Sequence, residues 1–348
     1  MAGERRTVRY GIVGFGHFAE KAILPALRTS VNSEVVALQK RSLGAAREKA
    51  RACGVPRAFD SAEELVFCPD VDAVFIVSAN ASHCAETLAA ARAGKHVIVE
   101  KPMAMNAREC EEMIQACRTA GVQLMVAHMI RFSPLARRMR EIVRSGTLGR
   151  IVSARADFVY DARLSKRSWL LDRKVAGGGP VFDIGVHCLD MLRFVLDDEV
   201  VGVAAVLDPP PDDRRTEEVA SLALRFSRGT IGSSFVSFRS PVRERIVEVV
   251  GEEGLMRAPD FTMGDVAIPL TLALGTDDRP GKRTEELIRV PNLYVEEISH
   301  FSSCILLGTP QESPGENGLA NQRVLDRAMA GGLWSQHAGG PEAPPTQK

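Results

Sequence analysis

The chain has 348 residues, of which 45% are apolar. A chain of this length holds more apolar residues than one compact core usually does, so we expect two domains. Its 44 Lys and Arg residues balance its 44 Asp and Glu residues, which argues against a nucleic-acid or membrane partner and favours a small molecule. The seven cysteines show neither a CxxC pair nor a zinc-type spacing with histidine, and no apolar signal region occurs, so we expect a cytoplasmic protein without a bound metal.

Short apolar runs alternate with amphipathic stretches in the first third of the chain. The runs predict strands at residues 8–13, 35–38, 73–77, 97–99 and 123–126. Helical periodicity predicts helices at residues 19–29, 43–52, 82–93 and 107–120. Strands that are apolar on both faces are typical of a parallel sheet between two helical layers. The alternation therefore predicts a Rossmann-type α/β domain over residues 1–128.

The pattern changes after residue 128. A linking helix is predicted over residues 134–145, a second helix over residues 181–195 and a C-terminal helix over residues 319–330. Longer segments of alternating polarity predict strands at residues 151–160, 200–206, 217–226, 230–238 and 244–251. We expect an α+β domain on a mostly antiparallel open sheet over residues 129–338, followed by a disordered tail over residues 339–348.

A glycine-rich turn joins the first predicted strand to the first predicted helix. Gly14 permits a tight turn, Gly16 lets the backbone approach a pyrophosphate, and Ala19 lets the helix pack closely on the strand. The N–H groups and the dipole at the start of the helix favour an anion. Because a whole alternating domain surrounds the turn, it predicts NAD or NADP binding, although a purely structural turn is the alternative. The expected cofactor contacts in the turn are Gly14, Phe15, Gly16, His17 and Phe18.

The end of the second predicted strand reads Gln39-Lys40-Arg41-Ser42. NAD-preferring domains usually carry an acidic residue here that binds the adenosine ribose, and this stretch has none. Two cations and a hydroxyl suit the 2′-phosphate of NADP, so Lys40, Arg41 and Ser42 are candidate cofactor contacts and NADP is favoured over NAD. The alternative is a solvated pair that tolerates either cofactor.

Three residues are candidates for the chemistry. Lys101 follows a predicted parallel strand, at the edge of the sheet where α/β domains place their ligands. Asp183 and His187 are four residues apart on a predicted helix, so they share one face. A neutral imidazole can take a hydroxyl proton near neutral pH, and a carboxylate beside it can orient the substrate. The alternatives are a surface lysine, a buried structural Asp–His pair and a zinc site, but no third or fourth zinc ligand is evident.

These segments together resemble the glucose-fructose oxidoreductase/inositol dehydrogenase/MocA (Gfo/Idh/MocA) family. The resemblance is carried by the glycine turn, by Glu100-Lys101-Pro102 and by the pattern Gly-Gly-Gly-x-x-x-Asp-x-Gly-x-His over residues 177–187. It extends from about residue 8 to the C-terminal helix. Met129 departs from it, because many members have an asparagine near this position.

The resemblance implies roles for particular residues. Lys101, Asp183 and His187 correspond to the catalytic triad of the inositol dehydrogenase type, and the proline after the lysine often forms a cis peptide. The implied cofactor contacts are Ser78, Asn80, His83, Glu100 and Lys101. Helix capping is an equally good explanation for Asn80. The family also implies a homodimer or homotetramer that associates through the open sheet.

The expected activity is hydride transfer between nicotinamide and a carbinol or carbonyl carbon of a sugar, polyol or related small molecule. His187 would act as the acid or base, Lys101 would anchor the oxygen, and Asp183 would position the substrate. Asp190 is another possible partner of His187. The alternatives are a cofactor-binding sensor or scaffold without turnover, and an NAD-assisted hydrolase or epimerase.

One polar loop, residues 161–176, follows no motif. Trp169 would either wall the substrate pocket or anchor the loop. The loop also carries four basic residues, which are Arg163, Lys166, Arg167 and Arg173. They would either favour a carboxylate or phosphate group on the substrate or be solvated without a role in binding.

Overall fold

The computed structural model describes residues 7–162, 167–276 and 279–335. Arg163, Lys166 and the predicted tail at residues 339–348 lie outside the described residues.

The first domain is a parallel sheet between two layers of helices. Its strands are β1 (Val8–Val13), β2 (Ser33–Gln39), β3 (Arg57–Phe59), β4 (Ala73–Ile76), β5 (His96–Val99) and β6 (Leu124–Val126). Their order is β3-β2-β1-β4-β5-β6, so the strand order reverses beside β1, where doubly wound sheets bind ligands. The helices are α1 (Leu24–Thr29), α2 (Leu43–Cys53), α3 (Ala62–Val66), α4 (Asn80–Arg92) and α5 (Ala107–Ala120). A π-helical turn, Ala19–Ile23, leads directly into α1.

The second domain is a mixed, mostly antiparallel sheet with helices on one face. Its helices are α6 (Pro134–Arg144), α7 (Arg173–Ala176), α8 (Val186–Leu196), α9 (Leu293–Leu307) and α10 (Gly315–Met329). Its strands are β7 (Ile151–Asp161), β8 (Val200–Asp208), β9 (Val219–Phe226), β10 (Ile231–Ser237), β11 (Arg239–Gly251), β12 (Gly254–Pro259), β13 (Val266–Thr276), β14 (Arg279–Val290) and β15 (Gly332–Ser335). The order is β14-β13-β12-β11-β7-β10-β9-β8-β15, and β7 and β10 pair in parallel. The predicted fold class is confirmed.

Local sequence explains where the helices of the first domain begin and end. The Ser42 hydroxyl accepts a hydrogen bond from the Ala45 N–H and so caps α2, and Asn106 caps α5 in the same way through the Glu109 N–H. Both helices end at a glycine with positive φ, Gly54 and Gly121.

The last two long helices return to the first domain. Ile298 and Phe301 of α9 are buried in the same apolar cluster as β1 and α1. The Tyr10 hydroxyl of β1 lies 2.8 Å from the Ser302 hydroxyl of α9, and α10 packs against α5. The two domains are therefore held together by α9 and α10, which pack on β1, α1 and α5. No described helix is both long enough and apolar enough to cross a membrane.

Candidate functional site

The glycine turn leaves room for a ligand beside the backbone. Gly14 has a φ of +81°, and a Cβ at this position would come within 2.6 Å of the Ser78 backbone, so only glycine fits. A Cβ on Gly16 would meet one atom within 4 Å, at 3.8 Å, so this backbone borders open space. Phe15 is buried, whereas His17 and Phe18 are exposed. An uncovered turn at a helix start fits a dinucleotide pyrophosphate.

The three residues predicted to bind the 2′-phosphate lie in different environments. The Lys40 ammonium donates to the Phe15 carbonyl oxygen at 2.7 Å, so it supports the turn. Ser42 caps α2, whereas Arg41 is exposed. The Gly14 N–H donates to the Gln39 side-chain oxygen at 3.0 Å, which ties the turn to the end of β2. Arg41 is thus the cation of this stretch that faces solvent.

Ser78, Asn80 and His83 connect the segments around the site. The Ser78 hydroxyl donates to Glu86 at 2.5 Å, and the Asn80 amide donates to the Ala176 carbonyl of the second domain at 2.8 Å. His83 is fully buried, and its ring nitrogens lie 3.0 Å from the Pro102 carbonyl oxygen and 3.2 Å from that of Ser78. Burial lowers the pKa of His83 to about 4, so the ring is neutral. These side chains fix the loops beside the glycine turn, and their direct contact with a cofactor stays a prediction.

Lys101 extends from the end of β5 into the second domain. Its ammonium donates to the Asp183 backbone carbonyl at 2.9 Å and lies 3.5 Å from the Asp183 Oδ1. The Lys101–Pro102 peptide is cis, as the family resemblance implied. Glu100 accepts a hydrogen bond from the Lys101 N–H, and burial raises the pKa of Glu100 to about 7. Lys101 and Asp183, which are 82 residues apart, therefore meet at the interface between the domains.

The Asp183 carboxylate is buried and is surrounded by donors. Tyr160 donates its hydroxyl hydrogen to Oδ2 at 2.9 Å, and Arg167 donates to Oδ1 and Oδ2, both at 3.1 Å. Burial alone would raise the pKa of Asp183, but Lys101, Arg167 and the Tyr160 hydroxyl together hold it well below its usual range. Asp183 is therefore a carboxylate at all physiological pH values.

His187 lies one turn further along the same helical segment. Asp183 belongs to a π-helical turn, Val181–Gly185, that continues into α8, where His187 is 8% exposed. Such π-turns are frequent at functional sites. The His187 Nδ1 is buried without a hydrogen-bond partner among the described residues. Burial, followed by the nearby Lys101 ammonium, places the pKa of His187 well below its ordinary value, so the ring is a neutral base at neutral pH.

Asp190 is engaged elsewhere, so its side chain is not a hydrogen-bond partner of His187. Arg131 donates to both of its oxygens, at 2.8 and 2.9 Å, and the side-chain amides of Asn317 and Asn321 add bonds of 3.0 and 2.9 Å. This buried network joins the domain junction to α10. Asp190 has a structural role here, since its charge is already balanced by Arg131.

Sequence reasoning missed two residues of the site. Tyr160 stands at the end of the predicted strand 151–160, but an aromatic residue there is also typical of a core position. Glu217 is buried and accepts hydrogen bonds from the Gly179 N–H at 2.9 Å and the Val181 N–H at 3.0 Å, so it fixes the glycine-rich segment before Asp183. No motif marks Glu217. The available signal in the sequence was an acidic residue at the start of a predicted strand of alternating polarity.

The remaining loop residues are placed as follows. Trp169 is partly buried against the core of the second domain, which favours the anchoring role. Arg173 donates to the Asp212 carbonyl, away from Asp183, whereas Arg167 lies in the site. In the part of the chain that the structure describes, no group of three or more His, Cys, Asp or Glu side chains is arranged to hold a metal ion.

Comparisons with known proteins cover both domains. A family model described as "Oxidoreductase family, NAD-binding Rossmann fold" (GFO_IDH_MocA) matches residues 8–128, and the "GFO/IDH/MocA C-terminal domain" model matches residues 136–257. The chain is 33% identical over 330 residues to 1,5-anhydro-D-fructose reductase of Ensifer adhaerens, covering 93% of this chain and 97% of the reductase. It is 34% identical over 239 residues to trans-1,2-dihydrobenzene-1,2-diol dehydrogenase of Mus musculus, covering 67% of this chain and 69% of that protein.

A similar crystal structure is that of aldose-aldose oxidoreductase from Caulobacter crescentus complexed with glycerol. The TM-score is 0.85 at 28% identity, and the match covers 95% of this chain and 100% of that chain. The likeness therefore includes both domains.

Proposed function

Since the chain belongs to the Gfo/Idh/MocA family of NAD(P)-binding oxidoreductases, we propose that it transfers hydride between nicotinamide and a carbinol or carbonyl carbon of a sugar, polyol or related small molecule. The observation that carries the proposal is the meeting of Lys101, Asp183 and a neutral His187 at the carboxyl edge of β5. The names of the reductase and of the aldose oxidoreductase, both sugar enzymes, support this substrate class.

Each residue of the site has a distinct task in the proposed reaction. The bound nicotinamide supplies the hydride acceptor or donor. Lys101 has three N–H donors, of which one is used by the Asp183 carbonyl, so it can donate another to the reacting oxygen and stabilise negative charge there. His187, neutral at working pH, takes the hydroxyl proton during oxidation and returns it during reduction. Asp183 orients Lys101 and thereby the substrate hydroxyl.

A substrate screen tests the function. Aldoses, anhydro sugars, keto sugars, polyols and vicinal diols are incubated with NADP(H) and with NAD(H), and absorbance at the reduced-nicotinamide band is followed. We expect net cofactor turnover that is lost in Lys101→Ala. Cofactor binding without turnover on any substrate would support the sensor alternative, and substrate conversion without net cofactor consumption would support the hydrolase or epimerase alternative.

The cofactor preference rests on one exposed cation. We propose that NADP is preferred and that Arg41 pairs with its 2′-phosphate, because Lys40 is engaged at the Phe15 carbonyl. Arg41→Ala should weaken NADPH binding about tenfold and leave NADH binding unchanged, as expected for the loss of an exposed charge-assisted hydrogen bond. Lys40→Ala should weaken both cofactors, because it loosens the glycine turn. Fluorescence titration of the two cofactors measures both effects, and an equal loss of NADH and NADPH affinity in Arg41→Ala would contradict the assignment.

We also propose that the chain forms a homodimer or homotetramer through the outer face of the second sheet. Three of the large apolar side chains exposed on this sheet are Val206, Ile231 and Phe235, with relative exposures of 74%, 51% and 44%. A soluble monomer rarely leaves a broad apolar sheet face open to water. Sedimentation velocity should give a multimeric mass for the wild type and a lower mass for Phe235→Glu; a monomeric wild type would contradict the proposal.

A further inference from the structure

We propose that Arg167 is a positioning residue of the reaction, which holds the Asp183 carboxylate so that the Lys101 ammonium stays available to the substrate oxygen. This inference deepens the proposed function and rests on it. Arg167 comes from the loop between β7 and α7, outside the segments that define the family pattern.

The distances show how the carboxylate is shared. Arg167 makes two parallel bonds of 3.1 Å, one to each Asp183 oxygen, which is the bidentate geometry favoured between guanidinium and carboxylate. Tyr160 adds a bond of 2.9 Å to Oδ2. Lys101 remains at 3.5 Å from Oδ1 and makes its shorter bond, 2.9 Å, to the backbone carbonyl of the same residue. The carboxylate is thus bound primarily by Arg167 and Tyr160. Lys101 is held next to the carboxylate by the Asp183 backbone carbonyl.

Arg167 also fixes the direction of the Tyr160 hydroxyl. One guanidinium nitrogen donates to the hydroxyl oxygen at 3.0 Å, while the hydroxyl hydrogen points to Asp183. The Tyr160 ring is held by an edge-to-face contact with Phe238 and by the Arg243 guanidinium, with centroid distances of 5.3 and 5.0 Å. Tyr160, Arg167 and Asp183 therefore form a closed triangle of hydrogen bonds. Its geometry needs a planar group with several N–H donors, such as a guanidinium.

Loss of the Arg167 guanidinium would change the hydrogen-bond partner of the Lys101 ammonium. Without Arg167, Asp183 keeps its buried charge and the Lys101 ammonium is the nearest cation that can neutralise it. A shorter Lys101–Asp183 ion pair would use the N–H that the reacting oxygen needs and would draw the ammonium away from its position. A lysine at position 167 would restore the charge but not the two parallel bonds, since an ammonium is a point charge without the fork geometry.

The test compares Arg167→Ala, Arg167→Lys and a matched control, Arg150→Ala. Arg150 is a surface arginine paired with Glu252 through two donors, and it directly precedes β7, whereas Tyr160 lies at the other end of that strand. We expect kcat to fall about 10- to 100-fold in Arg167→Ala and in Arg167→Lys, as for a misplaced reactive group, and to stay within about twofold in Arg150→Ala. Added guanidinium chloride at low millimolar concentration should partly restore Arg167→Ala, whereas an equal concentration of sodium chloride should not.

A crystal structure of Arg167→Ala supplies a readout that does not depend on turnover. We expect the distance from the Lys101 Nζ to the Asp183 Oδ1 to shorten from 3.5 Å to an ordinary ion-pair hydrogen bond of about 2.8 Å. An unchanged distance, or a kcat equal to that of the wild type, would overturn the role of Arg167. Failure of the proposed function would be recognised differently, as a wild-type protein without turnover, and the crystallographic distance would then still decide this inference.

Discussion

Replacing His187 with alanine is expected to lower kcat for carbinol oxidation by about 10²- to 10⁴-fold, the range found when a general base is removed. The reason is that His187 is a neutral base beside Lys101, whereas Asp183 is held as a carboxylate by Arg167 and Asp190 is bound by Arg131. Cofactor affinity should change little, since His187 belongs to the second domain. Steady-state kinetics and a cofactor titration of the purified variant measure both effects.

The pH profile of the wild type gives an independent check on His187. Burial and the Lys101 ammonium lower the pKa of His187, so the neutral form that accepts a proton prevails at and below neutral pH. Oxidation should therefore be lost only as the pH falls through this lowered pKa, and the acid limb of kcat/KM should lie well below pH 6.5, the ordinary histidine value. The limb should be absent from the residual activity of His187→Ala. An acid limb centred near or above pH 6.5, or one that persists in the variant, would mean that another group takes the proton.

The first domain could be predicted well because its signals are local. A buried parallel strand is apolar along its whole length, and capping residues and glycines mark where the helices begin and end. The elements that were missed lack such signals. The strand β3 has three residues at a sheet edge, β14 carries many charges, and α9 becomes recognisable only when Ile298 and Phe301 are seen to pack on the first domain.

The candidate site could be predicted from the sequence only in part. Lys101, Asp183 and His187 were singled out by the family pattern, because a strand end and a helical spacing alone are also typical of structural residues, and the structure brings the three together. The roles of Lys40 and Asn80 were not predictable, because each side chain is satisfied by a backbone carbonyl that the fold alone brings near. The same holds for Tyr160, Arg167 and Glu217: their partners in the segment from Gly179 to Asp183 lie 16 to 38 residues away in sequence, across loops without a motif.

Replacing Gly179 with alanine is expected to destabilise the protein by about 3 kcal/mol or more, through a steric overlap combined with broken buried hydrogen bonds. A Cβ at this position would overlap the Glu217 carbonyl oxygen, which belongs to the backbone of another segment and cannot rotate away. The Glu217 carboxyl group also accepts the Gly179 and Val181 N–H groups, so a shift that relieves the overlap breaks those bonds as well. Because this segment leads directly to Asp183 and His187, turnover should fall together with stability.

Gly44 provides the matched control for this substitution. It lies in the first turn of α2, is exposed, and would place a Cβ in open space, with no atom within 4 Å. Gly44→Ala should therefore leave stability unchanged or raise it by about 0.4–1 kcal/mol, because alanine restricts the unfolded chain without strain in the helix. Urea unfolding of both variants, followed by circular dichroism, measures the difference. Equal midpoints for the two variants would show that the glycine-rich segment can move away from Glu217, and the rigid support inferred for the Asp183–His187 helix would then be wrong.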